Sequence, residues 1–181
     1  MNTYVALLRG INVGGKTQID MKALKVIFEQ AGFTQVKTYI NTGNVLFKSD
    51  ELALSVIKAK LEDRFRLQLG QSLEVFVREA ATIAQLCAIF PKEWANDELQ
   101  KTDILFLSDS YDDPTTISLI NHDPTVDHLI SAPGAIGWNI LRSNYKQSGM
   151  NKFVGSPVYK NMTARNINTL RKLNELLKEL E

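Results

Sequence analysis

Apolar positions in the first half of the chain switch between a strand spacing and a helix spacing, and the switches define a consistent order of elements. Thr3 to Arg9 is a near-continuous apolar run, read as a strand. A loop rich in Gly and Asn follows to Thr17. Met21, Leu24, Ile27, Phe28 and Ala31 then repeat at helical spacing, with Asp20 as the cap and Gly32 as the residue that ends the helix. Val36 to Ile40 and Val45 to Lys48 are strands separated only by Asn41, Thr42, Gly43 and Asn44. A connection that short makes the pair antiparallel, because parallel neighbours need a long crossover. Leu54, Ile57, Leu61, Phe65 and Leu69 mark a second helix from about Glu51, and Leu73, Val75 and Val77 mark a fourth strand ending near Arg78. Strand, helix, strand, strand, helix, strand is the order of the ferredoxin-like split unit.

The second half reads as a worn copy. Ala80 to Phe90 is a linking helix, and a polar connector with Trp94 runs to Lys101. Asp103 to Leu107 is a strand, and Asp113 with Pro114 is a helix start that runs to about Asn121. Val126 to Ser131 and Ile136 to Leu141 are strands joined by Ala132, Pro133, Gly134 and Ala135. A helical segment is expected near Asn144 to Val154, broken by Gly155 to Pro157. A last helix is expected from near Thr163, with Ile167, Leu170, Leu173, Leu176, Leu177 and Leu180 on its apolar face. The expected fold class is α+β: duplicated ferredoxin-like (split βαββαβ) units, the second ending in a helix instead of its last strand. The expected divisions are a first unit at 1–79, a linking helix and connector at 80–101, and a second unit with its C-terminal helix at 102–181.

Composition narrows the function classes. Of 181 residues, 44% are hydrophobic and 23% charged, with a formal net charge of +1, which excludes a disordered chain and gives no support to a strongly basic nucleic-acid binder or a polybasic membrane anchor. The single cysteine, Cys87, shares helical spacing with Ile83, Leu86 and Phe90 and is expected to be a core thiol. His122 and His128 are the only histidines, so no zinc-ligand spacing exists, and no metal or cofactor is expected. The N-terminus has no basic region, and the apolar run Tyr4 to Leu8 is too short for a leader or a membrane span. A cytoplasmic location with no membrane partner is expected.

Topology points to a candidate site. In a split unit the C-terminal ends of the first and second strands share one edge of the sheet. That edge collects Arg9, Gly10, Asn12, Gly14, Gly15 and Lys16 from the first loop, and Tyr39, Asn41, Thr42, Gly43 and Asn44 from the hairpin. Backbone N–H groups, side-chain amides and arginine together make an anion or polar-ligand site. Turn chemistry is the competing explanation for each glycine, though not for the nearby arginine. Gly10 to Thr17 also fits the phosphate-loop pattern, and Ile104 to Leu107 with Asp109 could pose as its magnesium strand. Against this enzyme reading, the following strands form a hairpin and the helix starts at Asp20 instead of Lys16.

An RNA-binding sheet is the third reading. The third strand, Val45 to Lys48, lacks the stacking aromatics of RNA-recognition motifs. Tyr39 and Phe76, with Lys37 and Arg78, are the outward candidates, expected instead to pack against the second unit. No catalytic triad is indicated by His122 and His128 with their neighbours Asp123 and Asp127. A last polar cluster, Thr163, Ala164, Arg165, Asn166, Asn168 and Thr169, lies at the expected start of the final helix, with Arg142, Asn144, Tyr145, Lys146 and Lys152 upstream. Arginine is not favoured by the dipole at a helix N-terminus, so Arg165 and Asn166 join the candidate ligand-binding set.

Tyr4 to Gly15, Met21, Thr38 to Val45 and Thr163 to Thr169 together resemble a bacterial family catalogued as domain of unknown function 1697, over essentially the whole chain. Similar proteins often carry Asn where this chain has Thr17, and that difference alone creates the phosphate-loop match. They often carry Ser at the place of Thr42 and Trp at the place of Ile167. The resemblance implies the duplicated ferredoxin-like architecture and no particular activity. The expectation carried forward is a small binding protein for a phosphorylated or carboxylated ligand, with an enzyme using the same loops and an RNA or protein adaptor as alternatives.

Overall fold

The computed structural model describes residues 1–14 and 17–181. By contacts it forms two compact units, Met1–Ile83 with Leu173–Glu181, and Ala84–Lys172. The first unit runs β1 (Asn2–Leu8), α1 (Met21–Gln30), β2 (Thr34–Tyr39), β3 (Asn44–Ser49), α2 (Leu54–Leu69) and β4 (Val75–Glu79). Its sheet has the order β2-β3-β1-β4, and every neighbouring pair is antiparallel. Tyr39 pairs with Asn44, so β2 and β3 form the hairpin that the short connection requires. The Asp20 side chain caps α1 by accepting from Lys22 N, and Gly32 takes φ +86° just beyond the helix.

Tyr4, Ala6 and Leu8 of β1, Phe47 of β3 and Val77 of β4 face Leu24 and Phe28 of α1 and Ile57, Leu61 and Phe65 of α2. Phe28 meets Phe47 edge-on at 5.4 Å, and Phe33 lies 4.6 Å from Phe47. Val5, Leu7, Leu46 and Phe76, at the alternate positions of these strands, are buried too. Burial at both sets of positions explains why β1 reads as a continuous apolar run.

In the second unit β5 (Gln100–Leu107), β6 (His128–Ala132), β7 (Ala135–Leu141) and β8 (Met162–Asn166) form an antiparallel sheet of order β6-β7-β5-β8. The register repeats that of the first sheet. Leu8 N donates to Gly43 O and Leu107 N to Gly134 O, while Arg9 N donates to Glu74 O and Ser108 N to Asn161 O. Each last strand runs straight into a helix, α3 (Ala80–Ile89) after β4 and α5 (Ile167–Leu180) after β8.

The expected missing fourth strand is therefore present, as β8. Thr163, expected as the helix cap, lies inside the strand. The cap is Asn166, whose Oδ1 accepts from Thr169 N at 2.9 Å. The helical stretches expected after Asp113 and near Asn144 are 3-10 turns at Pro114–Leu119 and Arg142–Asn144 and a single turn, α4 (Met150–Phe153). Asp113 does cap its turn, accepting from Thr115 N. Cys87 is half-buried and not a core thiol. Among the described residues, no helix is long and apolar enough to cross a membrane.

Candidate functional site

The first loop and the hairpin meet at one edge of the first sheet, and two residues hold them there. Asn12 adopts φ +54°, a conformation Asn tolerates better than most residues. Its Nδ2 donates to Ile19 O at 2.9 Å and to Asn41 O at 2.8 Å, while its Oδ1 accepts from Ile19 N at 2.8 Å. One side chain thus fastens the start of the loop, its end and the hairpin tip. Gly43 is the second. At φ +80°, a Cβ there would stand 2.6 Å from Ile11 Cδ1 and 2.9 Å from Leu8 Cβ, so only glycine lets the hairpin seat on the loop. Asn44 is buried, its Nδ2 donating to Tyr39 O and Thr42 Oγ1, which holds the tip from within.

These contacts settle which of the predicted residues shape the edge. Asn12, Gly43, Asn44 and the Tyr39 carbonyl form its framework. Gly10 and Gly14 take positive φ with nothing within 4 Å of a built Cβ, so a ligand can approach their backbone closely. Arg9 stands beside Glu74, 3.9 Å from its carboxylate. Gly15 and Lys16 lie outside the described residues. Asn12, Gln18, Ile19, Asp20, Met21 and Asn41 line an open depression of about 470 Å³ beside the clasp.

Arg165 and Asn166 belong to the second unit, on β8. Arg165 is not in a first helical turn, as the sequence reading had it. It is buried opposite Ile104, with Nη1 donating to Ala164 O at 2.8 Å and Thr163 Oγ1 at 3.0 Å. Burial lowers its pKa to about 10, which still leaves it charged near neutrality. Arg78 holds the matching place in the first sheet, buried opposite Val5, with Nη1 donating to Val77 O at 2.9 Å. Periodicity could have paired these two arginines had β8 been read as a strand.

The phosphate-loop reading loses its structural context. The sheet is antiparallel and α1 begins at Met21, with Thr17 outside it donating its hydroxyl to Gln71 Oε1. Phe76 and Arg78 are buried, which removes them from any base-stacking surface. His128 is exposed on β6, and His122 Nδ1 lies 2.8 Å from Ile120 O.

Asp127, considered in the sequence only as a neighbour of His128, has a structural role instead. This buried carboxylate accepts from Trp138 Nε1 at 2.9 Å, Gly149 N at 2.9 Å and Asp123 N at 2.7 Å, and from the Ser148 hydroxyl. Burial pushes its pKa up, but the hydrogen bonds together outweigh that and hold it below the ordinary 3.8.

The family model described as "Protein of unknown function (DUF1697)" matches residues 1–134. No curated protein matches the chain. Among solved structures, the conserved bacterial protein SP0830 from Streptococcus pneumoniae is similar, with a TM-score of 0.85 and 26% identity over 97% of this chain and 98% of that one.

Proposed function

The chain belongs to the DUF1697 family, and from that premise we propose that it is a cytoplasmic binding protein for a small phosphorylated or carboxylated ligand held at the first-loop edge. In this reading the two units are duplicated ferredoxin-like units, which the matching strand order and register support. The observation that carries the binding role is the Asn12 clasp. It joins two loops into one rim around the depression of about 470 Å³, within the size range of ligand sites. Polar groups converge there without covering it. The Asn41 carbonyl is used by the clasp, which leaves the Asn41 side chain to a ligand, as it leaves Gln18. Arg9, at the start of the same loop, supplies the positive charge that an anionic end needs.

A thermal-shift screen of phosphate, sugar phosphates, nucleotides and di- and tricarboxylates tests this, since a ligand that binds only the folded state raises Tm. One chemical class is expected to raise it, with the rise reduced in Asn41→Ala, Gln18→Ala and Arg9→Ala. No shift with any member, or a shift unchanged in all three variants, overturns the reading.

A further inference from the structure

The second unit holds a separate cavity of about 380 Å³, lined by His122, Lys146, Gln147, Lys152, Phe153 and Ser156 among others. We propose that it is a phosphomonoester site, independent of the first-loop edge. Its walls are two chain segments that pass unusually close. A Cβ on Gly149 would stand 2.0 Å from Asn121 O, so glycine is what lets the 146–149 stretch press against 121–122. Asp127 then bolts the segments together, taking Asp123 N from one and Gly149 N with the Ser148 hydroxyl from the other. A site framed by a buried, fully engaged carboxylate is preorganised before any ligand arrives.

The lining chemistry is cationic. Among the described residues neither Lys146 nor Lys152 forms an ion pair, and both are exposed at the mouth. His122 Nδ1 faces a carbonyl oxygen, which can only accept, so Nδ1 carries the hydrogen and Nε2 is left for another partner. Asp123 also lines the cavity and opposes an anion, but its oxygens are engaged by Thr125 and Gln147. Ser156 stands in the wall, but its Oγ is covered and out of a ligand's reach, so the groups that can meet an anion are the two lysines and His122. A monoprotonated phosphate satisfies this set: its oxygens accept from the two ammonium groups, and its P–OH donates to Nε2. The Phe153 ring gives an apolar surface for the rest of the molecule.

The test titrates the full chain with inorganic phosphate and phenyl phosphate at constant ionic strength, following the imidazole resonances. Only His122 and His128 contribute, so the exposed His128 serves as an internal control. His122 is expected to shift and saturate, with phenyl phosphate binding more tightly than phosphate. The Lys146→Gln/Lys152→Gln double variant should weaken binding at least tenfold. Asn41→Ala and Gln18→Ala should leave it unchanged, which separates this site from the first-loop edge. Circular dichroism of each variant confirms that it is folded. A His122 that does not move, that moves together with His128, or that moves equally in the double variant overturns the proposal.

Discussion

The two sheets share strand order and register, yet their helix-side layers are built by different means. In the first unit, α1 and α2 supply their own backbone hydrogen bonds and deliver aromatic side chains onto the sheet, where Phe28, Phe33, Phe47 and Phe65 form a continuous cluster. In the second, the corresponding layer is 3-10 turns and the single turn of α4. Such short pieces leave backbone N–H groups without helical acceptors, and side chains must provide them. Aspartates do so repeatedly. Asp113 accepts from Thr115, Asp123 from Thr125, and Asp127 from Asp123 and Gly149. Two sheets of matching order and register therefore need not carry matching helices. Carboxylates can replace them, at the cost of sensitivity to acid.

Removing one buried anchor beneath each layer tests this contrast. Phe47→Ala empties the centre of the aromatic cluster and should cost about 4 kcal/mol, read from the urea midpoint. Asp127→Ala should cost about 3 kcal/mol, because it leaves the Trp138 N–H and two backbone N–H groups unpaired in a buried place. Hydrogen exchange should show the loss from Asp127→Ala concentrated at Asp123, Gly149 and β7, with α1 and α2 protected as before. Exchange that rises equally in both units would mean the two layers are not independent.

The hairpin glycines give a smaller effect and a sharper comparison. Gly43→Ala combines a left-handed backbone with a Cβ driven into Ile11 and Leu8, and should cost roughly 2–3 kcal/mol. Gly134 takes φ +76° at the matching place, so Gly134→Ala carries at least the backbone part, roughly 1 kcal/mol. Equal losses from the two changes would show that the seating of Ile11 on the hairpin contributes nothing.

Acid gives the mildest perturbation. Asp127 is held below its unfolded value, so its contribution is complete above the ordinary carboxylate pKa of 3.8 and is lost as pH falls through the lower folded value. Asp97, Asp113 and Asp123 are lowered too, by hydrogen bonds from Gln100 and Leu99, from Thr115, and from Thr125 and Gln147 respectively. Below about pH 4, amides of the second unit should lose protection before those of the first. Asp127→Asn should flatten the decline of stability with pH over that window. An unchanged slope would remove Asp127 from the account.

Much of the first unit was legible because its instructions are local. The Asp20 cap, the helical spacing from Met21 to Ala31 and the short connection from Asn41 to Asn44 each act within a few residues, and each stands where the sequence placed it. The candidate edge followed from topology alone, since any split unit gathers those loops. What Asn12 and Gly43 do there was not legible. An Asn-Gly-rich loop reads the same whether its amides face a ligand or, as with Asn12, a carbonyl 29 residues away. β8 was missed because Met162, Thr163 and Arg165 are buried on both faces of the strand, which erases the alternation, and because Thr163 imitates the cap that Asn166 provides.

The sequence by itself determined the order of elements in the first unit, the antiparallel hairpin and the apolar face of each long helix, since these depend on spacing that neighbouring residues enforce. Tertiary structure decided the rest. It turned a polar stretch into the edge strand β8, made Asn12 a clasp instead of an exposed amide, and drew Asp127 to Trp138 and Gly149, 11 and 22 residues away. The physical reason is that an apolar pattern states which face must leave water, whereas a buried polar group needs partners at hydrogen-bond distance in space, and only the folded chain supplies them.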